Sequence, residues 1–241
     1  MTDPFQHHPD LRDKIDDPMQ SFMRTLSIDF LAGVAAQHNL PDGWWYSNEE
    51  REALRANAMK DRWSQDLWVF GYGSLMWDPA IQFAEVRRAR IDGYARKFIL
   101  LDESGGRGTA EKPGAMAALD KGDQCEGLAF RIEREKLDEE TYILWQREQL
   151  APAYLPQFMP AQTNQGDVEA LVFIADHDTK DIRPDIPREE LIRIMATGEG
   201  VLGTAIDYLR NVVEKLEQLD ITDPDTSDLL ERAEAYLAER A

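Results

Sequence analysis

The stretch Leu67–Trp77 reads LWVFGYGSLMW and marks where the chain changes from helical to strand-like patterning. Leu67 to Phe70 is an apolar run of strand-forming residues, and Gly71 to Leu75 breaks it with two glycines flanking Tyr72. A buried strand is therefore expected to empty into a tight loop. Glycine permits positive φ and lets a ligand reach the main chain, while successive exposed N–H groups in such a loop form a nest that attracts anions. The same residues also fit a plain glycine turn beside a core strand, so the chemistry has to come from elsewhere in the chain.

Upstream of this stretch the pattern is helical. Met19 to Ala36 places Phe22, Leu26, Ile28, Leu31 and Val34 at helical spacing and predicts one amphipathic helix. Ser47 with Glu50 three residues later is a capping box that opens a second helix, EEREALRANAMKDRW. Residues 1–66 are thus expected to form a helical N-terminal extension, packed on the main domain or serving a partner.

Downstream the runs are short and β-like: Trp68 to Phe70, Phe83 to Arg90, Ala95 to Leu101, Gly114 to Leu119, Gln124 to Ile132 and Val168 to Ala175. Asp78-Pro79, Gly105-Gly106 and Lys121-Gly122-Asp123 read as the turns between them. Helices are expected at Arg134 to Leu150, at Pro187 to Thr197 closed by Gly198, at Ala205 to Leu219, and at Ser227 to Arg240 capped by Thr226 or Ser227. Strands followed by helices, without β-α alternation, give an α+β class with a largely antiparallel or mixed sheet that can curl into a barrel. Residues 67–241 are read as that domain with its C-terminal helices.

The chain of 241 residues is 43% hydrophobic and carries a formal net charge of -19, from 46 acidic and 27 basic residues. That field repels phosphate, which argues against nucleic acid or an anionic membrane as the main partner. No apolar run approaches the roughly 20 residues a bilayer span needs, and the start MTDPFQHHPDLRDK lacks the regions of a signal peptide, so a cytoplasmic location is expected. Cys125 is the single cysteine, which excludes an intramolecular disulfide and any multi-cysteine zinc site; between Gln124 and Glu126 it reads as a structural thiol in a strand. His7, His8, His38 and His177 show no metal-ligand spacing, so no metal is expected, and His7 and His8 are expected in a mobile polar terminus. No P-loop, GxGxxG, GxSxG or fixed-period repeat is present. Arg87 and Arg88 fall on opposite sides of a strand and read as cross-strand partners.

Three segments could meet a small charged substrate: the loop Phe70 to Leu75, RGTAEKPG at Arg107 to Gly114, and LWQREQLAPAY at Leu144 to Tyr154. The loop offers N–H donors, and Arg107 offers a guanidinium fork for a carboxylate. Glu148 offers a carboxyl group beside bulky apolar residues that would raise its pKa. Alone, a glutamate on a helix is ordinarily a solvated surface acid; the three segments together change that reading.

Taken in order, FGYGSLMW, the Gly93-Tyr94 pair with Arg96 after it, RGTxExPG, the glutamate of LWxRE, ALVFIA and a late DYL resemble the ChaC-like family of γ-glutamylcyclotransferases, over Leu67 to Leu219. The helical arm also resembles extensions of bacterial members. The resemblance implies a γ-glutamylcyclotransferase-like fold, a small mixed β-barrel with surrounding helices. It further implies a cofactor-independent enzyme that acts on glutathione and releases 5-oxoproline and cysteinylglycine. By position, Phe70, Gly71, Tyr72, Gly73, Ser74 and Leu75 would bind the γ-glutamyl group, Glu148 would be the catalytic proton acceptor, and Arg107 and Tyr154 would belong to the substrate pocket. Departures from the family pattern are Ala151-Pro152-Ala153 where a glycine-containing segment is common, Ala205 where asparagine is frequent, and Phe173 at a position that is tyrosine in some relatives. A cyclotransferase for other γ-glutamyl peptides or amines, and a non-catalytic γ-glutamyl-binding module, are the alternative readings.

Overall fold

Strand β1 (Leu67–Gly71) is bonded on both sides, which is what a run buried on both faces requires. It pairs antiparallel with β3 (Thr109–Ile132), Val69 opposite Phe130 and Gly71 opposite Leu128, and parallel with β5 (Val168–Ala175), Trp68 opposite Ala170. With β2 (Glu85–Ser104) and β4 (Tyr154–Thr163) the strands close a barrel in the order β1-β3-β2-β4-β5, with a further β3–β5 pairing. The sheet is therefore mixed and closed, as the sequence pattern suggested.

The computed structural model describes residues 3–38 and 43–240. The chain forms two units: Met1–Leu31, Trp45–Ala95 and Leu119–Ile174 make the first, and Ala32–Trp44, Arg96–Ala118 and Ala175–Ala241 the second. In the first unit, one barrel core gathers Phe70, Tyr72, Ala89, Ile91, Leu119, Cys125, Ala129, Ala161, Ala170 and Val172. Cys125 is buried in β3, in keeping with a structural thiol. Residues of β5 that alternate with this set face the other way: the fully buried ring of Phe173 packs edge-on against Trp145 of helix α3 (Leu137–Glu148) at 5.3 Å. Each such buried aromatic contributes about 1.5–3 kcal/mol.

The arm braces α3. Helices α1 (Ile28–His38) and α2 (Asn48–Ala58) form, and α2 opens with the expected capping box of Ser47 and Glu50. Arg24 reaches the fully buried Glu140 at 2.7 Å, and Arg55 donates to the Asp138 carboxylate at 3.0 Å and to the Thr141 hydroxyl at 2.9 Å. The single helix expected from Met19 is broken, because Asp17 and Ser21 cap short 3-10 turns at Pro18–Gln20 and Phe22–Thr25 before α1 begins. The terminus is also packed, contrary to the mobile reading. The Pro4 carbonyl accepts from Val86 N–H at 3.0 Å, Phe5 meets Phe83 at 5.7 Å, and His7 lies 3.4 Å from Glu85.

Two other expectations fail for tertiary reasons. Four of the anticipated short strands are halves of two long ones, β2 and β3. Gly122 therefore marks a close approach: a Cβ there would stand 2.4 Å from the Ala95 Cβ. Gly93, at φ 82, supplies the bend within β2. Strand β4, which the sequence pattern does not pick out, contains Pro156 and Pro160 and pairs antiparallel with β2 at its far end, Gln162 opposite Arg90 and Thr163 opposite Ala89.

In the second unit, α4 (Arg188–Thr197), α5 (Ala205–Gln218) and α6 (Pro224–Ala238) pack on one another through Leu191, Met195, Leu209, Val212, Leu216 and Leu229. Helix α6 starts earlier than expected. Its cap is Asp223, which accepts from Thr226 N–H at 3.1 Å and pairs with Arg96, whose side chain is 1% exposed. A short hairpin, β6 (Glu199–Gly200) with β7 (Gly203–Thr204), precedes α5. Among the described residues no helix is long and apolar enough to cross a membrane.

Candidate active site

The loop after β1 is shaped by close approach. Gly71 has no positive φ; instead, a Cβ on it would stand 2.9 Å from the Leu75 Cβ, so only glycine lets the chain fold back into the 3-10 turn Ser74–Met76. Across the ladder, Gly127 faces the Gly71 carbonyl so closely that a Cβ would lie 2.2 Å from that oxygen. Gly73 also has a negative φ, -131°, and a Cβ on it would meet no atom within 4 Å, which leaves the main chain open there.

That open main chain carries unspent donors. The N–H groups of Met76, Trp77 and Asp78 are bonded back to Gly73 and Ser74, whereas those of Gly73, Ser74 and Leu75 have no partner among the described residues. Consecutive free N–H groups are the anion-seeking feature expected of the loop. Phe70 and Leu75 offer no side-chain surface, being buried in the core and against Gly71, so they can serve a ligand through backbone alone. Tyr72 is anchored by its hydroxyl, which donates to the Phe173 carbonyl at 2.9 Å. A phenylalanine at 173 supplies that carbonyl as well as a tyrosine would.

Glu148 is the last residue of α3, and its side chain is 14% exposed. Burial raises its pKa, and the charge and hydrogen bond of Arg147 oppose the rise without cancelling it. The Arg147 side chain is 5% exposed and spends its whole fork locally: Nε donates to Glu148 Oε1 at 2.8 Å, Nη2 to Ser74 Oγ at 2.6 Å, and Nη1 to the Asp78 carbonyl. One guanidinium thus ties the glutamate to the loop. Adjacent residues on a helix ordinarily point about 100° apart and do not meet. Here the helix ends at Glu148, with Gln149 as its non-helical cap, and the pair can close.

Tyr154 opens β4 beside this helix end, and its carbonyl accepts from Gln149 Nε2 at 2.7 Å. Ala153, one of the departures from the family pattern, is buried there. The structure therefore joins Ser74 to Glu148 through Arg147 and brings Tyr154 to the same helix terminus. Arg147, the connecting group, was not among the residues anticipated from sequence; its place directly before Glu148 was the one available signal. Arg107 belongs to the second unit, where its backbone N–H donates to Asp102 at 2.5 Å, its guanidinium binds the Leu202 carbonyl, and its Cζ lies 5.5 Å from the Tyr208 ring centre.

A cavity of about 520 Å³ opens at the other end of β1, lined by Arg62, Asp66, Trp68, Phe158 and Glu169 among others. Its charges are already engaged, Arg62 with Glu169 and Asp66 with Arg131, so it holds no free acid or base.

The ChaC-like protein family model matches residues 67–236, from β1 into α6. The chain is 36% identical over 196 residues to the glutathione-specific gamma-glutamylcyclotransferase of Escherichia coli (strain K12), covering 80% of this chain and 84% of that protein. It is 34% identical over 165 residues to glutathione-specific gamma-glutamylcyclotransferase 1 of Danio rerio, covering 66% and 84% respectively. A crystal structure of a gamma-glutamyl cyclotransferase specific to glutathione from yeast has a like fold, with a TM-score of 0.64 at 22% identity over 72% of this chain and 97% of that one. With its barrel, its glycine loop and its acid-bearing helix all inside the matched span, this chain belongs to the ChaC-like family of γ-glutamylcyclotransferases.

Proposed function

We propose that the protein acts on glutathione, cyclising the γ-glutamyl group to release 5-oxoproline and cysteinylglycine, with Glu148 as the proton acceptor and donor. One observation carries this reading: a largely buried carboxyl of raised pKa is held by Arg147 against a loop with three unspent N–H donors. The names of the relatives support glutathione as the substrate.

The chemistry asks little more. The substrate's α-ammonium gives a proton to Glu148, and the freed nitrogen attacks the γ-carbonyl carbon of the same residue. A tetrahedral intermediate forms, Glu148 returns the first proton to the cysteine nitrogen as its bond to that carbon breaks, and the second proton of the ring nitrogen passes by the same carboxylate to the released amine, leaving the neutral lactam and the ammonium of cysteinylglycine. The nucleophile is built into the substrate, so no cofactor and no covalent enzyme intermediate are needed. The enzyme's work is to bend the γ-glutamyl chain into a near-attack shape and to hold negative charge. The N–H groups of Gly73, Ser74 and Leu75 are the donors for the two anionic centres, the α-carboxylate and the developing oxyanion. Arg107 and Tyr154 are assigned to the substrate pocket on the strength of their motifs.

Residues 67–241 form the catalytic part in this reading, and residues 1–66 an extension that steadies α3 through Arg24 and Arg55. A cytoplasmic setting goes with it, because thiols are kept reduced there and the single cysteine, Cys125, is buried and forms no disulfide. The net charge of -19 disfavours nucleic acid as a ligand.

The test is incubation with glutathione, γ-glutamyl-alanine and a γ-glutamyl amine, following 5-oxoproline by mass spectrometry, with Glu148→Gln as control. Turnover of glutathione alone, lost in the control, is the expected result. Turnover of all three would replace glutathione by the wider γ-glutamyl class, and full activity of the control would remove Glu148 as the base.

A further inference from the structure

We infer that Arg147 is a positioning residue of the reaction, fixing Glu148 by one carboxylate oxygen so that the other carries the proton, and locking that orientation to the loop through Ser74. The inference rests on the reading of Glu148 as the base. Its ground is the geometry of one buried fork: Nε engages Glu148 Oε1 at 2.8 Å, Nη2 engages Ser74 at 2.6 Å and Nη1 the Asp78 carbonyl. The partners lie on two elements, α3 and the loop after β1, so the guanidinium cannot turn toward one without leaving another. Among the described residues Arg147 is the sole hydrogen-bonding or ion-pairing partner of the Glu148 carboxylate, and Oε2 is left without one.

That division matters because proton shuttling uses one acid–base atom twice. A carboxylate free to rotate would present either oxygen at either stage, and the two transfers need the same oxygen near the substrate nitrogen and then near the leaving nitrogen. Holding Oε1 removes the rotation, and the bond to Ser74 sets the base at a constant distance from the loop. The third acceptor of the fork is a main-chain group, the Asp78 carbonyl, so Glu148 supplies the one carboxylate that pairs with this cation among the described residues.

Arg147→Lys and Arg147→Met separate positioning from charge. Lysine keeps the cation but cannot make three bonds in one plane; methionine removes both. Under the inference, kcat for glutathione falls roughly 10-fold in Arg147→Lys and about 100-fold in Arg147→Met, while KM moves by less than about threefold. The acid limb of the kcat/KM profile stays in place in Arg147→Lys and moves to higher pH in Arg147→Met, because the proton-accepting form loses its cation. A purely structural clamp would lower thermal stability without moving that limb. If Arg147→Met keeps kcat within about threefold of the parent with an unmoved limb, or loses activity only in step with the folded fraction, the inference is overturned while an inactive Glu148→Gln leaves the base assignment standing. If Glu148→Gln itself turns over, the base assignment falls and this inference with it.

Discussion

Ser74, in the turn that follows β1, accepts a 2.6 Å hydrogen bond from the Nη2 of Arg147, in the last turn of α3. A charge-assisted bond of this kind, with both side chains largely sheltered, is worth about 1.5–3 kcal/mol. It connects the loop after β1 to the acid-bearing helix across 73 residues of sequence.

Removing that bond alone should disturb catalysis more than folding. Ser74→Ala is expected to lower kcat/KM for glutathione by about tenfold, and Ser74→Thr, which keeps the hydroxyl, to stay closer to the parent. Steady-state kinetics on both variants decide it; equal losses in the two would mean that the hydroxyl is not what matters.

As the proposed base, Glu148 should set the pH dependence of turnover. As a base it works only when deprotonated, so activity is lost as pH falls through its pKa. Burial holds that pKa above the ordinary value of 4.5 even against Arg147. The acid limb of kcat/KM should therefore lie above the usual glutamate range. A limb at or below that range would show that another group titrates, or that Glu148 is more solvated than its 14% side-chain exposure implies.

The glycines of the β1–β3 ladder separate folding from turnover. Gly127→Ala would force a Cβ to 2.2 Å from the Gly71 carbonyl, a backbone clash expected to cost about 3 kcal/mol or more in urea unfolding. Gly73→Ala meets no atom within 4 Å, so its methyl projects into the open space beside the free N–H groups. The second variant should lose less stability than the first yet still lose turnover.

Glu85 should govern part of the acid sensitivity of the first unit. Burial pushes its carboxyl up, but Arg87 at 2.6 Å and Arg131 at 3.1 Å outweigh burial, and the net shift is downward. A lowered folded pKa contributes stability that is present above the unfolded value and lost as pH falls through the folded one. Glu85→Gln should cost stability at neutral pH and flatten the fall in melting temperature below about pH 4.5. Parallel acid melting curves for the two proteins would contradict this.

In the second unit, Asp223 both caps α6 and pairs with the buried Arg96. Asp223→Ala removes the cap and the carboxylate facing a guanidinium that is 1% exposed, and should cost about 3–5 kcal/mol. Asp223→Asn keeps an acceptor for the Thr226 N–H and should recover about 1 kcal/mol of that loss. Chemical denaturation of the pair measures the difference.

Local pattern alone determined the strand begun at Leu67 and its glycine loop, the capping box of Ser47 and Glu50, a helix within Arg134 to Leu150 that the structure bounds at Leu137 and Glu148, and the buried thiol of Cys125. Each depends on residues a few positions apart, where periodicity and capping chemistry act. The motifs also assigned Glu148 and the loop to one site by resemblance, and the structure joins the two through Arg147. The tertiary structure decided what depends on distant neighbours. The segment Tyr154–Thr163, with two prolines inside it, became a strand that pairs with β2 through Gln162 and Thr163. The glycine at 122 became a contact with Ala95 in place of a turn, and Asp223, which caps α6 locally through Thr226 N–H, gained the buried Arg96 as a distant partner. Above all, Arg147 reads in sequence as the charged neighbour of a charged residue. Its role as the link between base and loop exists only once α3 and the turn after β1 are brought side by side, since hydrogen-bond geometry, unlike helical period, is not written in the spacing of residues.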